Sequence, residues 1–160
     1  MPTASSPLSQ ARLRQIVQGV AASEHEWLSL VRYDLDRRWY QRLGSDDDHE
    51  VWLLSWLPGQ GTDLHDHGGS AGAFVVVSGT LTEYTVKTPP GSAPRLASDS
   101  LHPGDGRAFG PHHIHQITNA ATQPAVSLHV YGPALREMTR YHIADGQLLV
   151  TAVDRAGADW

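Results

Sequence analysis

Two kinds of hydrophobic spacing divide the chain. Near the start, Leu13, Ile16, Val17 and Val20 recur at intervals of three and four residues, which places them on one face of an α-helix. Ser6-Pro7 supplies a start signal, a serine N-cap with proline in the first turn. Ser23 is followed three residues later by Glu26, the form of a capping box. It predicts a second short helix carrying Trp27, Leu28, Leu30 and Val31. Residues 1–32 are therefore expected to be helical.

Beyond that point the apolar runs are short and broken by glycine and proline. They are Arg38–Leu43, Glu50–Leu57, Gly72–Val77, Thr80–Thr85, Val126–Tyr131 and Gln147–Val153. The breaks include Pro58-Gly59, Ser78-Gly79, Pro103-Gly104 and Gly132-Pro133. Short strands separated by turn signals predict an all-β antiparallel sandwich or barrel. Lys87–Ser98 is polar and reads as a loop. No long repeat or linker divides the chain. The expectation is one domain over residues 1–160, with residues 1–32 packed on a barrel built from residues 33–160. A single core serves chains of this length.

Composition narrows the class of partner. Hydrophobic residues make up 40% of the chain and charged residues 18%, which suits a folded domain and not a disordered one. The net charge of -5 argues against nucleic acid. No cysteine is present, so disulfides, thiolate ligands and a cysteine nucleophile are excluded, and a reducing cytoplasm is a compatible location. The N-terminus has no uninterrupted apolar core, so no signal peptide is expected. No apolar stretch reaches the ~20 residues of a membrane span. A monomer or weak homo-oligomer is expected, although nothing in the sequence fixes the oligomeric state.

Histidine is the unusual residue. Six of the ten histidines lie between Leu64 and Ile117. His65-Asp66-His67 puts two imidazoles on one face of an extended strand, where they can chelate one metal. The surrounding spacing adds to this. Five residues separate Gly59 from His65, four separate His67 from Gly72, and six more precede Gly79. Later comes Gly106-x4-Pro111-x3-His115-x3-Asn119. These blocks resemble the paired motifs of the cupin superfamily, G-x5-H-x-H-x3,4-E-x6-G and G-x5-P-x-G-x2-H-x3-N. Two departures stand out. Gly110 precedes Pro111 instead of following it, and Gly72 stands where the glutamate belongs. A site of three histidines and one glutamate thereby becomes a site of three histidines, with positions open for substrate and dioxygen. By proximity His102, His112 and His113 are alternative third ligands. His115 alone has the three-residue gap to Asn119, and the others read as solvated loop histidines.

Three segments narrow the resemblance. LHDHGGSAGAFVVVSGTLTE, IHQITN and AVSLHVYGP, within roughly Tyr40 to Pro133, resemble the cysteine dioxygenase family of thiol dioxygenases. The resemblance implies dioxygenation of a small thiol to a sulfinic acid at one Fe(II) per chain, held by His65, His67 and His115. It also implies a hydrogen-bonded set of Ser127, His129 and Tyr131, which alternate along one strand face. Tyr131 would stand beside the metal, with His129 and Ser127 orienting it. Tyr40-Gln41-Arg42 fits the family's Tyr-x-Arg segment, which makes Arg42 the partner of the substrate carboxylate. A shift of one residue would put Gln41 there, as in the related 3-mercaptopropionate dioxygenases, and Arg37, Arg38 and Arg107 are further candidates. Animal members carry a cysteine at the position of Gly72, cross-linked to the tyrosine. This chain resembles the bacterial members with glycine there, so Tyr131 is expected to be unmodified. The expected function is Fe(II)- and O2-dependent oxidation of L-cysteine to cysteine sulfinic acid. A different small thiol such as 3-mercaptopropionate, or a non-catalytic metal-binding sensor, is the alternative. Imidazole also accepts nickel, manganese and zinc. The sequence leaves the role of residues 134–160 open.

Overall fold

A computed structural model describes residues 7–155 of the chain. The N-terminal helix α1 spans Gln10–Ala22. Its N-cap is Ser9, whose Oγ accepts a hydrogen bond from the Arg12 N–H at 3.1 Å. The helix therefore starts later than the Ser6-Pro7 signal suggests; Ser6 lies outside the described residues. The expected capping box does not form either. The Ser23 hydroxyl donates back to the Gly19 carbonyl at 3.1 Å, and two single 3-10 turns follow, Glu24–Glu26 and Leu28–Leu30. Trp27 explains the break. It turns inward, is buried, and donates its indole N–H to the Val20 carbonyl at 3.0 Å, which folds the chain back on α1.

Eleven strands follow among the described residues: β1 Trp39–Ser45, β2 Glu50–Trp56, β3 Leu64–His65, β4 Ala71–Ser78, β5 Leu81–Lys87, β6 Arg95–Leu101, β7 Gly106–Phe109, β8 His115–Thr118, β9 Ala125–Gly132, β10 Glu137–Ala144 and β11 Gln147–Arg155. They form two antiparallel sheets. One has the order β1-β2-β9-β4-β7 and the other β11-β10-β3-β8-β5-β6. Each of the six apolar runs read from the sequence overlaps a strand. Part of the expected loop at Lys87–Ser98 is instead β6, an exposed edge strand with too few apolar residues to show alternation. The segment after Pro133 supplies the β10–β11 hairpin, and β10 pairs with β3 to extend the six-stranded sheet.

Strand alternation builds two cores from one sheet. Val51, Leu53, Ala73, Val75, Val126, Leu128 and Val130 face outward and are covered by Leu13, Val17 and Trp27. Full burial of such a side chain is worth about 1.5–3 kcal/mol, so packing on the sheet holds α1 in place more than helix propensity does. Between the sheets lie Leu54, Trp56, Phe74 and Val76, packed with Leu81, Leu101, Ile117 and Met138. Strands β2, β4 and β9 are thus covered on both faces, which is why they read as nearly continuous apolar runs.

Two residues of the motif blocks serve the fold. Gly79 turns the chain between β4 and β5 at φ 73°, and a Cβ there would lie 2.3 Å from the Pro124 carbonyl oxygen. Buried Asn119 donates to the carbonyls of Trp56 (2.9 Å) and Gln123 (2.8 Å) and accepts from the Ala121 N–H (3.0 Å), fixing the turn from β8 to β9. No helix among the described residues is long and apolar enough to cross a membrane.

Candidate metal centre

The six-stranded sheet brings the first and third histidines together by register. His65 on β3 is the direct antiparallel partner of His115 on β8. Strand β3 ends at His65, so His67 lies just beyond it, yet its ring turns to the same side. The ring centroids of His65, His67 and His115 are 4.8 to 5.0 Å apart. One nitrogen from each lies within 4.8 Å of the others, and all three residues are buried. The intervening Asp66 points away and pins the loop to β10. It accepts from the Thr139 N–H at 3.1 Å, the Gly68 N–H at 3.0 Å and the Tyr141 hydroxyl at 2.7 Å.

The tautomers of two rings follow from their partners. His65 Nδ1 lies 2.8 Å from the Asp63 carbonyl oxygen, which can only accept, so Nδ1 carries the proton and Nε2 is a free lone pair. His115 Nδ1 lies 2.8 Å from Glu83 Oε2 and donates to it in the same way. His67 has no hydrogen bond at either nitrogen although both are buried. An unpaired buried polar group costs about 1–3 kcal/mol. Two outward lone pairs beside an orphaned imidazole fit a metal ion, which would take up all three. The three histidines are held neutral. Burial pushes the pKa of each down, well below the usual range for His65 and His67; the proximity of the other imidazoles adds to this.

Gly72 shapes the same place. It is the register partner of Phe109 on β7 and of Tyr131 on β9. Those two rings lie over the glycine and both stack on His67, with centroids at 4.7 and 5.1 Å. A Cβ on residue 72 would lie 2.6 Å from Phe109 Cζ and 3.0 Å from Tyr131 Cδ1, so the glycine is what allows the stack.

Opposite the histidines, β9 presents Ser127, His129 and Tyr131 from its inner face, all buried. The Trp56 indole N–H donates to Ser127 Oγ at 2.9 Å, Ser127 Oγ is 2.8 Å from His129 Nε2, and His129 Nδ1 is 3.3 Å from the Tyr131 hydroxyl. Burial lowers the His129 pKa to about 3 and raises that of Tyr131 well above the usual phenol value, the latter against the opposing pull of Arg38. The chain of groups is neutral, and the phenol keeps its proton.

A cavity of about 40 Å³ lies over these groups. That is room for a few water-sized groups and hence for a small ligand. His65, His115 and Tyr131 line it, with Arg38, Trp52 and Arg140 among the other walls. The Trp52 indole nitrogen is buried there without a partner. An outer hollow shares Arg38, Tyr40, Thr62 and Arg140 with the cavity and adds Arg37 and Asp63 at its rim.

The structure does not bring every expected residue here. Tyr40 lines the cavity, but Arg42 and Gln41 do not; both border a separate surface hollow beside Leu30 and Val51. The Arg42 side chain is 57% exposed and its guanidinium reaches Glu50 Oε2 at 3.9 Å. Arg38 and Arg140 are the cavity's arginines. Arg107 instead contacts Glu83 at 3.2 Å and Asp99 at 3.0 Å. His102 and His112 are exposed, as solvated loop residues are. His113 is not: it stacks on Phe109 at 4.8 Å and lies 3.6 Å from Glu83 Oε2. The sequence reading missed Glu83, Trp52 and Arg140. For Glu83 a signal exists, since it shares the inward parity of Leu81 on β5.

Comparison with known proteins comes to the same place. The family model for cysteine dioxygenase type I matches residues 8–144. Cysteine dioxygenase type 1 of Danio rerio is 24% identical over 140 residues, covering 81% of this chain and 68% of that protein. Among solved structures, a double-stranded β-helix protein from Klebsiella pneumoniae superposes with a TM-score of 0.56 at 17% identity, covering 78% of this chain and 92% of that one. A cupin superfamily protein from Desulfitobacterium hafniense superposes with a TM-score of 0.52 at 17% identity, covering 66% of this chain and 85% of that one. These two likenesses show the fold, a cupin.

Proposed function

The chain belongs to the cysteine dioxygenase type I family and is a non-haem iron dioxygenase by that membership, and from this premise we propose that it oxidises L-cysteine to cysteine sulfinic acid with O2. In this reading one Fe(II) is held by His65, His67 and His115. The observation that carries it is the orphaned His67 beside two imidazoles whose Nε2 lone pairs are left open by fixed Nδ1 donors.

The reaction balances without a further reductant. Sulfur gives up four electrons and gains both oxygen atoms, O2 accepts those electrons, and the thiol proton is released to solvent. A metal held by His65, His67 and His115 would supply thiolate binding and activation of dioxygen. The protein's own residues supply position and protons. Arg38 and Arg140 are the cationic walls of the cavity and hold the substrate carboxylate, with the unpartnered Trp52 indole as a further donor. The reading gives this role to Arg38 and Arg140 in place of Arg42, which borders a different hollow. Tyr131 directs its phenol proton toward the reacting atoms. The Trp56 indole can only donate to Ser127, which leaves the serine proton for His129 Nε2. His129 Nδ1–H then donates to the Tyr131 oxygen, and the phenol proton is free to face the cavity.

One observation favours a second substrate. Among the described residues no Asp or Glu lines the cavity, so a substrate amine finds no carboxylate partner. That supports a thiol acid without an amine, such as 3-mercaptopropionate. Oxygen uptake by protein loaded anaerobically with Fe(II), with cysteine, 3-mercaptopropionate and cysteamine in parallel, tests both. Uptake with cysteine and an equal yield of sulfinic acid is the expected result. Uptake with 3-mercaptopropionate alone selects the second substrate. Uptake with cysteamine alone removes the carboxylate role of the arginines, and none with any thiol overturns the reading.

A further inference from the structure

The cupin pattern places a glutamate among its ligands, and this chain has Gly72 there. A carboxylate nevertheless stands behind one of the three histidines. Glu83 sits on β5 opposite Ile117, and His115 is its diagonal neighbour on the same face of β8. Its side chain is 1% exposed. Oε2 takes the His115 Nδ1–H at 2.8 Å and has His113 Nε2 at 3.6 Å, while Oε1 takes the Arg107 Nε–H at 3.2 Å. Arg107 in turn reaches Asp99 at 3.0 Å on the neighbouring surface. The arrangement is a line of alternating charge running from solvent to the buried imidazole.

We infer that Glu83 is the positioning residue of the metal centre: it locks His115 with Nε2 toward His65 and His67, and supplies through His115 the negative charge that the three histidines lack. The inference rests on the reading that a metal sits between those histidines. Two features of the site support it. A carboxylate this deeply buried is costly unless hydrogen-bonded and paired, and here both oxygens are engaged. The Nδ1 proton of His65 goes to a neutral carbonyl, so Glu83 is the single anion bonded to any of the three rings among the described residues. A carboxylate accepting from the far nitrogen of a ligating imidazole fixes its tautomer and raises its basicity, and loss of such a partner costs about 10- to 100-fold in metal affinity. Arg107 is the strut that keeps Glu83 from turning away.

Titration of the metal-free protein with Co(II), followed by absorption, tests this without reference to turnover. Glu83→Gln keeps an acceptor for His115 but removes the charge, and should weaken Co(II) binding by about 10- to 100-fold with a shifted Co(II) spectrum. Arg107→Gln leaves Glu83 in place but unbraced and should weaken binding by a smaller factor, about 2- to 5-fold. If Glu83→Gln does not fold, as judged by circular dichroism of the metal-free protein, Arg107→Gln decides alone. Co(II) affinity within twofold of the parent protein in every folded variant overturns the inference. Parent protein that binds no Co(II) overturns the metal reading as well, which separates the two failures.

Discussion

The two faces of the cavity are built from opposite chemistry. The six-stranded sheet presents His65 and His115 with each ring backed by an acceptor, a carbonyl in one case and a carboxylate in the other. Burial pushes the Glu83 carboxyl up, but His113 and His115 against its Oε2 outweigh that and hold it at about 2, so this face keeps a full negative charge near neutral pH. The five-stranded sheet presents Ser127, His129 and Tyr131, where burial keeps the imidazole neutral and the phenol protonated. One face is arranged to fix lone pairs, the other to deliver a hydrogen. The contrast follows from partners and not from depth, since residues on both faces are almost wholly buried. It implies that metal retention and turnover can be damaged separately.

The largest effect should come from the six-stranded sheet. His115→Ala removes the ring that pairs with both His65 and Glu83, and leaves a buried carboxylate facing a void. We expect iron content to fall from about one per chain to near zero and activity to vanish with it; a variant that retains full iron by metal analysis would remove His115 from the site. On the opposing sheet Tyr131→Phe keeps the ring stacked on His67 and loses only the hydroxyl. Iron content should stay at the parent level while kcat falls by about 10²- to 10³-fold, the usual cost of one directed donor at a reacting centre. A kcat within threefold of the parent protein would make Tyr131 a packing residue.

The same contrast marks what the sequence could reveal. Where the chemistry repeats at the strand period, the pattern helped: His65-x-His67 was readable as a chelating pair, and Ser127-x-His129-x-Tyr131, singled out by the family resemblance, alternates along β9, a strand long and apolar enough to declare itself. Strands β3 and β8 are two and four residues long, too short to show a period, and they were visible only through the motif spacing. Glu83 was hidden because one glutamate in a Thr-rich strand resembles a solvent-facing residue. Its meaning comes from β5 lying beside β8, which is a fact of sheet order. His113 was read with its exposed neighbours because nothing in His112-His113 says which ring finds Phe109. The arginine was the hardest case. Residues 38, 40 and 42 share one parity, so alternation could not choose between them, and the Tyr-x-Arg resemblance pointed to Arg42. Depth along the strand decides the matter. Arg42 pairs with Trp52, next to a register shift in β1, and reaches Glu50, which is not among the cavity's walls, whereas Arg38 packs beside Trp56.

That difference between Arg42 on β1 and Arg38 just before it gives the smallest effects and the sharpest test of the cavity's boundary. Arg38 is half-buried, with its guanidinium 5.0 Å from the Trp56 ring, and the desolvation of that group pushes its pKa down from the usual arginine value. Arg38→Gln keeps part of the stem's packing and removes the charge. Hydrogen bonds to a charged group contribute about 1.5–3 kcal/mol, so KM for a carboxylated thiol should rise by about 10- to 100-fold with kcat changed less. Arg42→Ala breaks a pair in which the arginine is mostly exposed, and such pairs contribute about 0–1 kcal/mol. Glu50 is left with its hydrogen bond from the Leu135 N–H at 2.7 Å, so the buried carboxylate is not orphaned. KM in Arg42→Ala should stay within about twofold of the parent value. The opposite ranking, a tenfold rise in Arg42→Ala with Arg38→Gln unchanged, would mean that β1 shifts when substrate binds and carries Arg42 into the cavity.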